Sequence, residues 1–348
     1  MSFKRFEEED IVVSAESIAG PVWSNNEIQL TSFVTSSTQE NGTTGRYYLQ
    51  VYQTASTDQT AAVQFSVAYG HKDGSGSLYY NAAVASKTPT STIYGQYRNL
   101  VLGDEEAEFT FGGVTSKHFY AISIDRARFK EKLLPGSLEL VLSGSGGEVT
   151  LTDDSQIVST TTFVDAGRVF ELVSGSLGTV YSGSAQGSGS YANPLGSGSY
   201  GKVLPDIGVI LLNADILNGT DPANQGGIAL GTTETANQND NNNRKIVEAI
   251  QLGGSNGGGF KLNSEETVSS NFIFVRARNA EFNYSTNPSM ITGSGALRHT
   301  SMIDSPQSYI GSVGLYNDNN DLLAVAKLSK PLLKDFTKEA LVRIKLDY

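Results

Sequence analysis

The chain has 348 residues, room for two domains, and a net charge of −11 from 36 acidic and 25 basic residues. That charge repels a phosphate backbone, so no nucleic-acid partner is expected. The absence of cysteine excludes disulfides and thiolate metal sites, and 37 glycines against 9 prolines suit short strands joined by turns.

At the start, Phe3 and Phe6 flank Glu7, Glu8, Glu9 and Asp10. Acid stands where a secretory leader would need an apolar run. Residues 1–30 are expected as an arm, either solvated or docked on a basic partner.

Residues 31–173 are expected as an antiparallel β-domain. Ala61, Val63, Phe65, Val67 and Tyr69 alternate with Ala62, Gln64, Ser66 and Ala68, the period of a half-buried strand. Tyr47, Leu49 and Val51 repeat it, and the polar turn 54–59 makes the two a hairpin. A strand centred on Tyr120, Ile122 and Ile124 leads into 126–134, which is expected as a short helix stopped by Pro135 and Gly136. Leu138, Leu140 and Leu142 alternate again, and Val149 and Leu151 begin the return strand.

Residues 174–201 are rich in Gly and Ser and are expected as a linker or long loop, with Tyr181, Tyr191 and Tyr200 spaced through it. Residues 202–348 are then a second β-domain. The apolar run 203–212 is broken by Pro205, Asp206 and Gly208 and is too short to span a membrane. Residues 219–243 read as an exposed polar excursion that wraps a partner, 244–252 as a short helix or strand, and 253–259 as an open loop. Strands follow at 272–277, 309–316, 322–328 and 341–348. In the last, Val342, Ile344, Leu346 and Tyr348 oppose Arg343, Lys345 and Asp347. The fold class is mainly β: antiparallel, sandwich-like domains with short helices and long polar loops.

Few residue sets point to chemistry. His71 is expected in a turn, His118 at the start of a strand and His299 in a loop; with no nucleophile-elbow serine, no catalytic role is assigned. Asp318, Asn320 and Asp321 lack the glycine and distal glutamate of an EF-hand, and Asp240 among asparagines is weaker still, so no metal is assigned. Asp104, Glu105, Glu106 and Glu108 are contiguous, which points them outward rather than across a glycosidase cleft. The glycines of 253–259 lack the Lys-Ser/Thr of a phosphate loop. Arg126, Arg128, Lys130 and Lys132 form a basic patch interrupted by Glu131, better suited to a salt-bridged protein interface. No cofactor is expected.

Two segments resemble known proteins. Val313-Gly314-Leu315-Tyr316-Asn317-Asp318, followed by Leu322-Leu323-Ala324-Val325-Ala326-Lys327-Leu328-Ser329-Lys330-Pro331, resembles a C-terminal module of virion structural proteins in contractile-tailed phages, including those of marine cyanobacteria. That resemblance runs from Phe274 to Tyr348 and takes in residues 276–288, and 119–138 are similar to a strand-helix-strand piece of the same class. Together they cover roughly a quarter of the chain.

The resemblance implies a non-enzymatic virion component of the tail, baseplate or neck, with no catalytic residues. It would bind other virion proteins and copies of itself, through an attachment module at about 272–348. The residues implied in assembly are Val313, Gly314, Leu315, Tyr316, Leu322, Leu323, Val325, Lys327 and Pro331, with Arg126, Arg128 and Lys130. One alternative is a receptor-binding or capsid decoration protein, with Tyr79, Tyr80, Tyr94 and Tyr97 meeting glycans or the head surface. Another is a virion-associated cell-wall hydrolase.

Overall fold

The computed structural model describes residues 4–35, 48–76, 88–181, 199–219, 227–234, 242–254 and 259–347. The chain is mainly β, with 45% strand and 14% helix. It divides into two compact units, one of Ile18–Glu266 and one of Met1–Ser17 with Thr267–Tyr348.

The larger unit is organised by one long antiparallel sheet that curls into a half-barrel. From one edge its path runs through Gln29–Leu30, Phe260–Lys261, Glu139–Gly144, Gly147–Asp153, Gly167–Ser176, Gly201–Leu204, Val209–Asn213, His118–Ile124, Val63–His71, Tyr48–Tyr52 and Val34–Thr35. Alternation decides which side chain goes to which face. Tyr120, Ile122 and Ile124 pair with Tyr69, Val67 and Phe65 and join the larger core. Phe119 and Ala121, one residue out of step, join a second core on the opposite face. Neither face of these central strands is left to water, so apolar residues fill consecutive positions in Val209–Asn213.

Helices close both faces. The helix α1 (Pro89–Leu102) places Tyr94 and Val101 in the second core, beside Phe109, Phe111 and Phe119. Gly70 lets it approach: a Cβ there would stand 3.0 Å from the Phe119 ring and 3.2 Å from the Tyr94 amide nitrogen. The short helix α2 (Ala214–Leu217) follows the strand Val209–Asn213 directly. On its own face, α3 (Asn242–Leu252) packs Ile246, Val247, Ala249 and Ile250 into the larger core. Trp23 completes that core edge-to-face with Phe260 at 5.0 Å.

The smaller unit pairs Asn263–Ala277 with Ala340–Asp347 over eight residues, with Ile11–Pro21 on the other side of the same strand. A separate two-stranded ribbon joins Ser308–Tyr316 to Leu322–Lys334. The unit's core cluster is small: buried Ile273, Leu315 and Ile344, with half-buried neighbours such as Val313, Ala324 and Ala326.

The 48–52/63–71 hairpin, the 139–153 hairpin and the C-terminal strands stand where the sequence placed them. Four expectations are corrected. First, 126–134 is not a helix. Arg126–Arg128 is one 3-10 turn, capped by Asp125 accepting from the Ala127 amide, after which Lys132–Leu133 pairs with the strand Asn263–Ala277. The amides of Leu133 and Leu134 go to Pro205 and Asn263 carbonyls, and buried Phe129 turns the chain inward. Second, the boundary at 174–201 does not divide the fold. Gly201–Leu204 pairs with Gly167–Ser176, and Val209–Asn213 with His118–Ile124, so both expected β-domains share one sheet; residues 182–198 of the expected linker lie outside the described residues.

Third, residues 11–21 of the expected arm are a strand of a sheet, because their backbone finds partners along Asn263–Ala277. Fourth, the described part of the expected excursion, 227–234, is tied down. Ile228 is wholly buried, and the amides of Ile228 and Leu230 both donate to the Leu217 carbonyl. Residues 220–226, 235–241 and 255–258 of the expected loops lie outside the described residues.

Candidate functional sites

Two features carry functional content, one in each unit. The first is the ribbon of the smaller unit. Its register opposes Leu315 to Ala324, Gly314 to Val325 and Ser312 to Lys327. Period two then sends Val313, Leu315, Ala324 and Ala326 inward to the small core. Gly314, Leu323, Val325 and Lys327 face outward. Leu323 and Val325 are 68% and 61% exposed. Tyr316 and Leu322 crowd the position above Gly314, where a Cβ would meet the Tyr316 ring at 2.9 Å. Tyr309, Leu341 and Phe336 add further exposed apolar surface to the same unit. The assembly residues expected from the sequence thus divide: Val313 and Leu315 build the ribbon's inner face, while Gly314, Leu322, Leu323, Val325, Lys327 and Pro331 reach solvent.

The turn between the ribbon strands satisfies itself. Asn317 Oδ1 accepts from the Asp321 amide at 2.7 Å, its Nδ2 donates to Asp321 Oδ2 at 3.0 Å, and Asn320 takes a φ of 65°. This is an Asx-type turn of the kind such residues favour.

Three members of the basic set at 126–132 find partners within the larger unit, while the Nε of Arg128 is buried without a hydrogen-bond partner. The Arg126 guanidinium lies 4.6 Å from the Phe129 ring centroid, Lys130 pairs with Glu266, and Lys132 lies 3.6 Å from Glu265. Tyr94 is 2% exposed and so is not a surface contact for a glycan, while Tyr97, also on α1, is half-buried. Burial raises the Tyr94 hydroxyl above its ordinary value. Tyr79 and Tyr80 lie outside the described residues. The acids Asp104, Glu105, Glu106 and Glu108 are all exposed, and Glu108 pairs with Lys72. His299 is exposed.

The second feature was not legible in the sequence. His71 ends one central strand and His118 begins its neighbour, and the two are register partners. Both side chains are buried, on the face shared with Tyr69 and Tyr120. Glu234 enters from the loop 227–234, with carboxylate oxygens 3.5 Å from His71 Nε2 and 3.9 Å from His118 Nδ1. Asp215, in the first turn of α2, accepts from His118 Nε2 at 2.8 Å and from Ser116 Oγ at 2.5 Å. Tyr69 Oη lies 2.8 Å from His118 Nδ1. The Asp73 amide donates to His71 Nδ1 at 3.0 Å.

The loop that carries Glu234 is held residue by residue. Asn242, at the start of α3, accepts from the Thr233 amide at 3.0 Å and donates to the Thr233 carbonyl at 2.9 Å. Asn218 accepts from the Thr232 amide, and Lys245 donates to the Gly231 carbonyl and Thr233 Oγ1. Electrostatics follow the geometry. Burial and the neighbouring His118 push the His71 imidazole below its ordinary value, against the pull of Glu234 and Asp73. Burial alone would raise the Asp215 carboxyl, but hydrogen bonds from His118 and Ser116 outweigh it and hold the group below the usual carboxylate range.

Comparison with protein-family models, curated proteins and solved structures gives no match. Among the described residues no helix is long and apolar enough to cross a membrane.

Proposed function

We propose that this chain is a structural component of a phage virion that works by binding, and that it attaches to another subunit of the particle through the outer face of its C-terminal ribbon. The observation that carries the reading is the imbalance of the smaller unit: a core cluster of only Ile273, Leu315 and Ile344 inside, and Leu322, Leu323, Val325 and Tyr309 outside at 53%, 68%, 61% and 70% exposure. Leu323 and Val325, exposed together on the ribbon's outer face, are the kind of apolar surface that marks a place for a partner. Burying one such side chain contributes about 1.5–3 kcal/mol, so several together reach the scale needed to offset the cost of association.

The sequence of that same ribbon, from Val313 to Pro331, is the segment that resembles the C-terminal module of virion structural proteins. The reading places the protein at the tail, baseplate or neck, alongside other virion proteins and copies of itself. Quantitative mass spectrometry of gradient-purified particles tests it. The chain should co-migrate with intact particles at fixed stoichiometry through repeated gradients. A chain that stays in the soluble fraction, or washes off at moderate salt, contradicts the reading.

A further inference from the structure

We propose that His71, His118 and Glu234 bind one divalent transition-metal ion of the zinc class, which clips the loop 227–234 to the end of two central strands of the large sheet. One donor atom from each of the three lies within 4.8 Å of the others. The register makes the two imidazoles neighbours: adjacent antiparallel strands place directly opposed residues on one face. Two imidazoles and a carboxylate suit zinc, cobalt or nickel, whereas calcium and magnesium ask for more oxygen ligands.

Three further observations favour a ligand. Asp215 accepts the hydrogen bond of His118 Nε2–H, which leaves the Nδ1 lone pair directed into the cluster. A carboxylate behind a histidine is the outer partner that orients metal-bound imidazole. Glu234 is placed by Asn242, Asn218 and Lys245 acting on the residues before it. Its side chain is 52% exposed, which supplies an entry path and room for a water as fourth ligand.

Loading has a cost that the geometry also shows. The Tyr69 hydroxyl must turn away from His118 Nδ1, and the Asp73 amide must release His71 Nδ1 so that the ring proton can move there from Nε2. Each is one hydrogen bond exchanged for a metal–nitrogen bond. Metal bonds of about 2.1 Å hold ligand atoms about 3.4 Å apart, so donor atoms that now lie within 4.8 Å of one another draw together on loading.

The test is titration of the full chain with cobalt(II) chloride, followed by zinc chloride. One cobalt per chain is expected, with the strong visible absorption of a four- or five-coordinate site, and zinc should bleach it at one equivalent. His118→Ala and Glu234→Gln should lose the signal, and Asp215→Asn should weaken affinity about 10- to 100-fold. His299→Ala should bind as the parent does. Because Glu234 is half-exposed, its substitution tests the site even if the buried His118→Ala chain fails to fold. No saturable cobalt binding, only the pale spectrum of octahedral cobalt, or full binding by Glu234→Gln overturns the proposal.

Discussion

Lys334, wholly buried at the end of the ribbon, donates its Nζ to Asn283 Oδ1 at 2.6 Å, across 51 residues of sequence. The carbonyls of Asn279 and Asp335 accept its other hydrogens at 3.0 and 2.9 Å. A buried ammonium is tolerated only when its donors are satisfied. Asn283→Ala is therefore expected to cost the smaller unit about 3 kcal/mol, because it leaves a charged donor short of a partner. The double variant Lys334→Met, Asn283→Leu should cost less, since it removes the charge and its side-chain partner together. Urea unfolding followed separately for each unit checks the order of the two effects.

Gly70 should tolerate no larger side chain. Gly70→Val drives carbon into the Phe119 ring and the α1 backbone, and an overpacked core site costs about 1–3 kcal/mol. A lowered thermal midpoint together with faster amide exchange in α1 is the expected result. An unchanged midpoint would show that α1 is not pressed against that strand.

The pH dependence of the larger unit should include Asp206. Burial alone would raise its carboxyl, but hydrogen bonds from the Arg168 side chain and amide, with the guanidinium charge, hold it below the usual range. A carboxyl with a depressed folded-state pKa contributes stability above its unfolded value of about 3.9 and loses it as pH falls through the folded value. Asp206→Asn should lower stability at neutral pH by about 1 kcal/mol, an allowance for its partial exposure. It should also flatten the acid limb of the stability profile between about pH 4 and the onset of acid unfolding. Chemical denaturation at pH 7, 5, 4 and 3 reads both effects.

Much of the sheet was legible because its strands are amphipathic or doubly apolar at period two, as at Val63–His71 and Glu139–Gly144. The helix α1 was not, because its first turns are Pro, Thr, Ser and Thr and it contains Gly95, weak helix formers held in place by Tyr94 and Val101 in the core. Its Pro89 start and Gly103 stop are the signals that mark its ends in the sequence. The 126–134 segment shows the converse: good local helix composition, overridden once Leu133 and Leu134 find carbonyls elsewhere. The histidine cluster could not be read along the chain at all. Glu234 and Asp215 come from elements far from His71 and His118, and only the register of two strands brings the rings together.

Under the proposed function, stability and assembly separate on the ribbon. Leu323 and Val325 lie on its outer face, so Leu323→Asp combined with Val325→Asp should change the unfolding free energy by no more than about 0.5 kcal/mol per site. The same pair should abolish incorporation into particles when supplied in place of the parent chain. Normal incorporation with normal folding would move the attachment surface away from this ribbon.

The central claim is that the chain resides in a particle, at its tail or junctions. Immunogold electron microscopy of intact particles, with an antibody against the full chain, tests it most directly. The account predicts gold at the tail, baseplate or neck. Label spread over the head would instead indicate decoration, and unlabelled particles from infected cells that are positive by blot would contradict the structural role.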